Sequence, residues 1–179
     1  VNVVQELVEA GLKTSMNSDD VVLASSDQAV LLHVHEHAPE RIQPIVEWLQ
    51  AQEWTGVIFT RGARATDGRG PFASPEPQGW VDGTFSLELI HLANEARGPD
   101  ILFTFPWSSA TNSYGLAGTD LVHSMRAMGV RSGDASSHGS MSPWTIRNTC
   151  LAWGVESKRG VAVRVPASNV NLMPTILAL

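Results

Sequence analysis

Short apolar runs rich in β-branched residues, alternating with segments of helical spacing, constrain this chain more than any other feature. Val21-Val22-Leu23-Ala24 reads as a strand, and Ala29-Val30-Leu31-Leu32-His33-Val34-His35 as its partner across a Ser25-Ser26-Asp27-Gln28 turn. Next, Pro39 sits where a first-turn proline belongs, and Ile42, Ile45, Val46 and Leu49 mark one helix face. Trp54-Thr55-Gly56-Val57-Ile58-Phe59-Thr60 and Asp100-Ile101-Leu102-Phe103-Thr104-Phe105 are further strand candidates. An amphipathic helix over residues 1–12, ending near Gly11, precedes them all, with a polar turn over 14–20. Helix and strand in this order predict an α/β fold, a layered sheet with flanking helices.

The rest of the chain reads less regularly. Residues 61–83 hold five Gly and three Pro, with Arg61, Arg64 and Arg69 among them, and are expected to form an irregular surface loop able to contact an anionic substrate. Residues 106–141, dense in Gly and Ser, are expected to form a second loop-rich stretch. Ser86–Asn94 is read as helix, with Leu87 and Ile90 on its packing face. The tail offers strands at Thr149–Trp153 and Val161–Val165, then a final helix from about Ser168. No repeat and no linker divides the chain, so residues 1–179 are read as one portion of one domain. Both ends lack the marks of natural termini: Val1 replaces an initiator Met, and the apolar Pro174–Leu179 run has no polar cap. The expectation is a piece of a longer protein.

Composition removes several function classes. With 12 Lys and Arg against 18 Asp and Glu, the formal net charge is -6, and no basic run suggests a nucleic-acid binder. Cys150 is the single cysteine, which excludes an intramolecular disulfide framework and a Cys-based zinc finger. No apolar run approaches the roughly 18 residues of a membrane span.

Among the six histidines, His33, His35 and His37 alternate. On one strand face their imidazoles would line up as a zinc site, and an oligomer interface could complete it; a solvated edge strand is the plainer reading. His91 reads as a boundary residue and His123, beside Asp120, as exposed. His138 lies in the small-residue loop Ser136-Ser137-His138-Gly139-Ser140-Met141-Ser142-Pro143-Trp144, a composition that lets a side chain project at an ion while the backbone passes close by. Cys150 has no activating neighbour and is read as a buried structural thiol. Neither a Gly-x-Ser-x-Gly nucleophile turn nor a phosphate-binding glycine loop occurs.

The segment Ser137-His138-Gly139-Ser140-Met141-Ser142-Pro143-Trp144-Thr145-Ile146-Arg147-Asn148-Thr149, followed by Trp153-Gly154 and Lys158-Arg159-Gly160, resembles the C-terminal metal-ligand segment of the alkaline phosphatase superfamily, in its type I phosphodiesterase/nucleotide pyrophosphatase branch. Asn169-Val170-Asn171-Leu172-Met173-Pro174-Thr175-Ile176-Leu177 is similar to the helix that follows in that family. Ala10–Lys13, Trp54–Thr60, Gly83–Ser86 and Arg97–Asp100 resemble upstream segments of bacterial members. The resemblance implies the C-terminal part of an alkaline-phosphatase-like fold. It also implies a hydrolase of phosphodiester or nucleotide pyrophosphate bonds that uses two zinc ions, with His138 as a zinc ligand and the nucleophile upstream of this chain.

The departures from that pattern are specific. No Asp-His dipeptide occurs, and Asp120 and His123 stand three apart. Asn171 replaces a usual Asp, and Val155-Glu156-Ser157 replaces the usual run before Lys158. One ligand cannot hold a dizinc centre, so this chain by itself is expected to be inactive. Two other readings stay open: a non-catalytic member of the superfamily, or a sulfatase or phosphonate hydrolase, which the nucleophile would distinguish.

Overall fold

A computed structural model describes residues 1–62, 77–120 and 138–178. Contacts divide the chain into two units, Val1–Arg147 and Asn148–Leu179.

The first unit is a mixed five-stranded sheet with helices, an α/β arrangement. Helix α1 (Val3–Glu9) begins where the Asn2 side chain accepts from the Gln5 backbone N–H, and stops just before Gly11 at φ +72°. Strands β1 (Val21–Ser26) and β2 (Ala29–Val34) form a hairpin in the register Ser26 to Ala29 and Val21 to Val34. Helix α2 (Pro39–Gln50) starts with Pro39 in its first turn and buries Ile42, Ile45, Val46 and Leu49, the face that the spacing predicts. Strands β3 (Ile58–Thr60), β4 (Phe85–Ser86) and β5 (Ile101–Thr104) complete the sheet in the order β1-β2-β5-β3-β4. All neighbours are antiparallel except β3 and β4.

Period-2 alternation sorts the strand residues between two apolar clusters. Val30, Leu32, Ile58, Ile101 and Phe103 join Leu7 of α1 and the buried face of α2 in the main core. Phe59, Leu87 and Leu102, with Leu31 packed against them, form a smaller cluster. Trp54 lies against Phe103 and Phe105, with ring centroids 5.8 and 6.2 Å away. Gly56 brings two backbones together: its N–H donates to the Thr104 carbonyl at 2.7 Å, and a Cβ there would stand 2.8 Å from the carbonyl oxygens of Thr104 and Phe105.

Two sequence expectations change in the first unit. Residues 107–120, read as irregular, form a hairpin of β6 (Trp107–Thr111) and β7 (Ala117–Asp120). Asn112 makes the turn, its side chain accepting from the Tyr114 and Leu116 N–H groups, while Gly115 takes φ +79°. The Ser86–Asn94 segment is not an α-helix. After β4 it makes a single 3-10 turn, Leu87–Ile90, capped by the Ser86 side chain and ended by His91 in the left-handed region at φ +58°.

In the second unit, Thr149–Trp153 and Val161–Val165 are not strands, and Leu151, Trp153, Val161, Val163 and Val165 are exposed. A strand needs a neighbour to satisfy its backbone groups, and among the described residues none pairs with either segment. The expected final helix is there: a 3-10 turn at Asn169–Asn171 leads into α4 (Leu172–Ala178). No helix among the described residues is long and apolar enough to cross a membrane.

Candidate functional site

Polar side chains gather at the two ends of β2. The Val34 end is built around Asp100, which is fully buried just before β5. Its Oδ2 accepts from the Val34 N–H at 2.8 Å, and its Oδ1 lies 2.8 Å from His37 Nδ1 and 3.2 Å from Arg61 Nε. Arg61 also donates through Nη2 to the Gly98 carbonyl at 3.1 Å. A buried carboxylate is tolerable only when its charge is matched and its oxygens accept bonds. Asp100 meets both conditions, tying together the ends of β2, β3 and β5.

This arrangement overturns the alignment of three histidines. Only His33 is on the strand; β2 ends at Val34, and His35–His37 form a 3-10 turn in which Glu36 and His37 have φ of +58° and +53°. The backbone reversal ends the two-residue alternation, and His37 is drawn onto Asp100. Arg61 is equally committed, to Asp100 and Gly98, rather than presented to an anionic ligand. Arg64, Arg69 and His123 lie outside the described residues, as does the side chain of Asp120. His91 caps a turn and is exposed. Cys150 is exposed rather than buried, because the strand expected to bury it does not form.

The other end of β2 carries His138. Its carbonyl accepts from the Gln28 N–H at 3.1 Å, and the Gln28 carbonyl accepts in turn from Phe105 N–H at 3.2 Å. Gly139 follows at φ +82°, where a Cβ would stand 2.8 Å from the Ser26 carbonyl oxygen. Only glycine permits both that conformation and that approach. Ser142 then caps helix α3 (Pro143–Ile146), accepting from Thr145 N–H, and Trp144 packs edge-on against Trp107 with centroids 5.5 Å apart. The backbone of His138 is therefore anchored while its side chain is 74% exposed, with Nε2 3.3 Å from Asp27 Oδ2. From Gln28 to Val34 an extended chain covers about 20 Å, so this pair is remote from the Asp100 cluster.

The two ends differ in what they can do. At Asp100 a cation would have to displace a guanidinium. At His138 an imidazole nitrogen and a carboxylate oxygen, both ordinary zinc donors, stand together at the surface. Among the described residues no group of three His, Cys, Asp or Glu side chains is placed to hold an ion. His138 and Asp27 are thus of the donor types zinc takes, and as a pair they fall short of the four ligands it usually has.

A third polar cluster holds the α1–β1 connection. Lys13 is buried, its Nζ donating to the carbonyls of Ser18 and Val21 and to Ser18 Oγ. Asp20 lies 3.5 Å from Lys13 Nζ and 2.9 Å from Arg41 Nη1. Burial works to raise the Asp20 pKa, but hydrogen bonds from Ser18, Thr14 and Arg41 outweigh it and hold the carboxyl well below the usual carboxylate range. Its bonding is internal to the connection, which makes it a structural clasp.

The sequence marks out His138, whereas Asp27 has the context of a turn residue and Asp100 that of a strand start. Nothing local signals either role, since His138 lies 111 positions from Asp27, while Arg61, His37 and Val34 lie 39, 63 and 66 positions from Asp100. Compared with family models, with curated proteins and with solved structures, the chain matches none of them.

Proposed function

We propose that this chain is part of a metal-dependent hydrolase of phosphodiester or nucleotide pyrophosphate bonds, the C-terminal portion of an alkaline-phosphatase-like fold, and that His138 is one of its zinc ligands. The observation that carries the reading is an anchored backbone under an exposed imidazole: the His138 carbonyl is bonded to Gln28 while 74% of the side chain is exposed, with Nε2 beside the Asp27 carboxylate. The residues around it, Ser137-His138-Gly139-Ser140-Met141-Ser142-Pro143-Trp144, form the motif that resembles the family's ligand segment. Gly139 lets the loop pass against the β1–β2 turn, and the Ser142 cap starts the helix that follows. These features anchor the backbone of the loop and leave the imidazole facing solvent. Bound zinc in such an enzyme supplies charge stabilisation for the phosphoryl group and for the attacking and leaving oxygens.

The test is hydrolysis of bis(p-nitrophenyl) phosphate by the longer protein that carries this chain together with the upstream nucleophile segment, loaded with zinc. Wild-type protein is expected to turn over, and His138→Ala to lose at least about 100-fold in rate with an unchanged urea midpoint. Undiminished hydrolysis by His138→Ala refutes its role. No hydrolysis by the zinc-loaded wild type refutes the hydrolase reading.

A further inference from the structure

We infer that Asp27 is a second ligand of the ion that His138 binds. This inference rests on the reading of His138 as a zinc ligand and adds to it a residue that the family pattern does not mark.

The first argument is spacing. Zinc bonds to imidazole nitrogen and carboxylate oxygen are about 2.0–2.1 Å long, so two ligands on a tetrahedral ion stand about 3.3 Å apart. The distance between His138 Nε2 and Asp27 Oδ2 is 3.3 Å. The pair needs little rearrangement to become one edge of such a shell.

The second argument is that the protein holds the two donors in register. Asp27 and Gln28 form the two-residue turn between β1 and β2, closed by the Ser26–Ala29 pairing. Asp27 takes φ +49°, a conformation that aspartate adopts more readily than most residues. The same turn is where the His138 segment docks. Gln28 donates to the His138 carbonyl, and Gly139 fits against the Ser26 carbonyl. Two segments distant in sequence are joined by a backbone hydrogen bond at Gln28 and by the close approach of Gly139 to Ser26, which limits how far the donor pair can separate.

The experiment reads metal binding rather than catalysis, in a Cys150→Ser background that removes the exposed native thiol. Zinc affinity is measured by competition with a chromogenic chelator for that parent, for Asp27→Asn and for His138→Ala. Cobalt(II) spectra are then recorded for the parent and for Asp27→Cys, since a thiolate bound to cobalt gives a near-ultraviolet charge-transfer band. Loss of an outer-sphere partner alone costs about 10–100-fold in affinity, so loss of a direct ligand should cost at least tenfold. The expected result is a loss of that size in both single variants, with the thiolate band appearing in Asp27→Cys.

A loss in His138→Ala with none in Asp27→Asn overturns the inference and leaves the His138 reading standing. A loss in Asp27→Asn without a thiolate band in Asp27→Cys also overturns it, making Asp27 a positioning residue that acts through the imidazole. Parent-like affinity in His138→Ala overturns the ligand reading and the inference together. Absence of zinc binding by the parent at millimolar metal overturns the two-donor site.

Discussion

Replacing Asp100 tests whether the buried carboxylate holds the sheet end together. In Asp100→Ala the Val34 N–H loses its 2.8 Å acceptor, His37 Nδ1 loses its 2.8 Å contact and keeps only the 3.4 Å one to Arg61 Nη2, and Arg61 loses its counter-ion. A buried backbone donor left without a partner costs about 1–3 kcal/mol. Arg61 is partly exposed and recovers some hydration, so its loss falls below the fully buried case. Breaking a buried charge pair costs about 3–5 kcal/mol in total, and the lower half of that range, about 3–4 kcal/mol, is expected here. Asp100→Asn differs in one respect: its carbonyl oxygen can still accept from Val34, while its amide can donate to His37 in the other tautomer. It loses mainly the charge opposite Arg61, and a smaller cost of about 1–2 kcal/mol follows.

Urea unfolding at pH 7, followed by tryptophan fluorescence, measures both. With an m-value of about 2 kcal/mol/M, Asp100→Ala should lower the midpoint by about 1.5–2 M and Asp100→Asn by less than 1 M, at unchanged slope. Equal shifts in the two variants would show that the Val34 bond contributes nothing beyond the charge. A shift below about 0.3 M in Asp100→Ala would refute the account of this cluster altogether.

Two further predictions concern the supports of the sites. Asp20 has its carboxyl pKa held below the unfolded value of about 3.9, so its contribution to stability is present above that pH and declines as the pH falls below it. The stability gap between wild type and Asp20→Asn should therefore be constant from pH 7 to about 5 and shrink below about pH 4; a gap that widens on acidification would contradict the bonding described. Gly118, at φ +90°, has its backbone against the Trp144 indole, and an added Cβ would stand 2.8 Å from ring carbons. Gly118→Ala should cost about 2 kcal/mol and change the Trp fluorescence, as read by urea unfolding and emission spectra, whereas an unchanged spectrum would place the indole elsewhere.

The elements legible in the sequence were those whose physics is local. The face of α2 follows from the spacing of Ile42, Ile45, Val46 and Leu49, and its start from Pro39. The β1–β2 hairpin follows from two apolar runs about a short polar turn. The same local logic failed where a neighbour decides the outcome. Val161, Val163 and Val165 carry a strand pattern but pair with no strand among the described residues, and Leu87 and Ile90 have helical spacing in a segment that ends after one turn.

The candidate site divides in the same way. The amino-acid sequence by itself determined that position 138 carries an imidazole on a loop of glycine and serine, because those residue types set what a backbone can do locally. Only the tertiary structure decided that Asp27 stands beside it, that His37 leaves its strand for Asp100, and that Arg61 is already paired. Each depends on the register of β2 against β5 and on where the segment after residue 137 docks, and such long-range pairings leave no periodic trace along the chain.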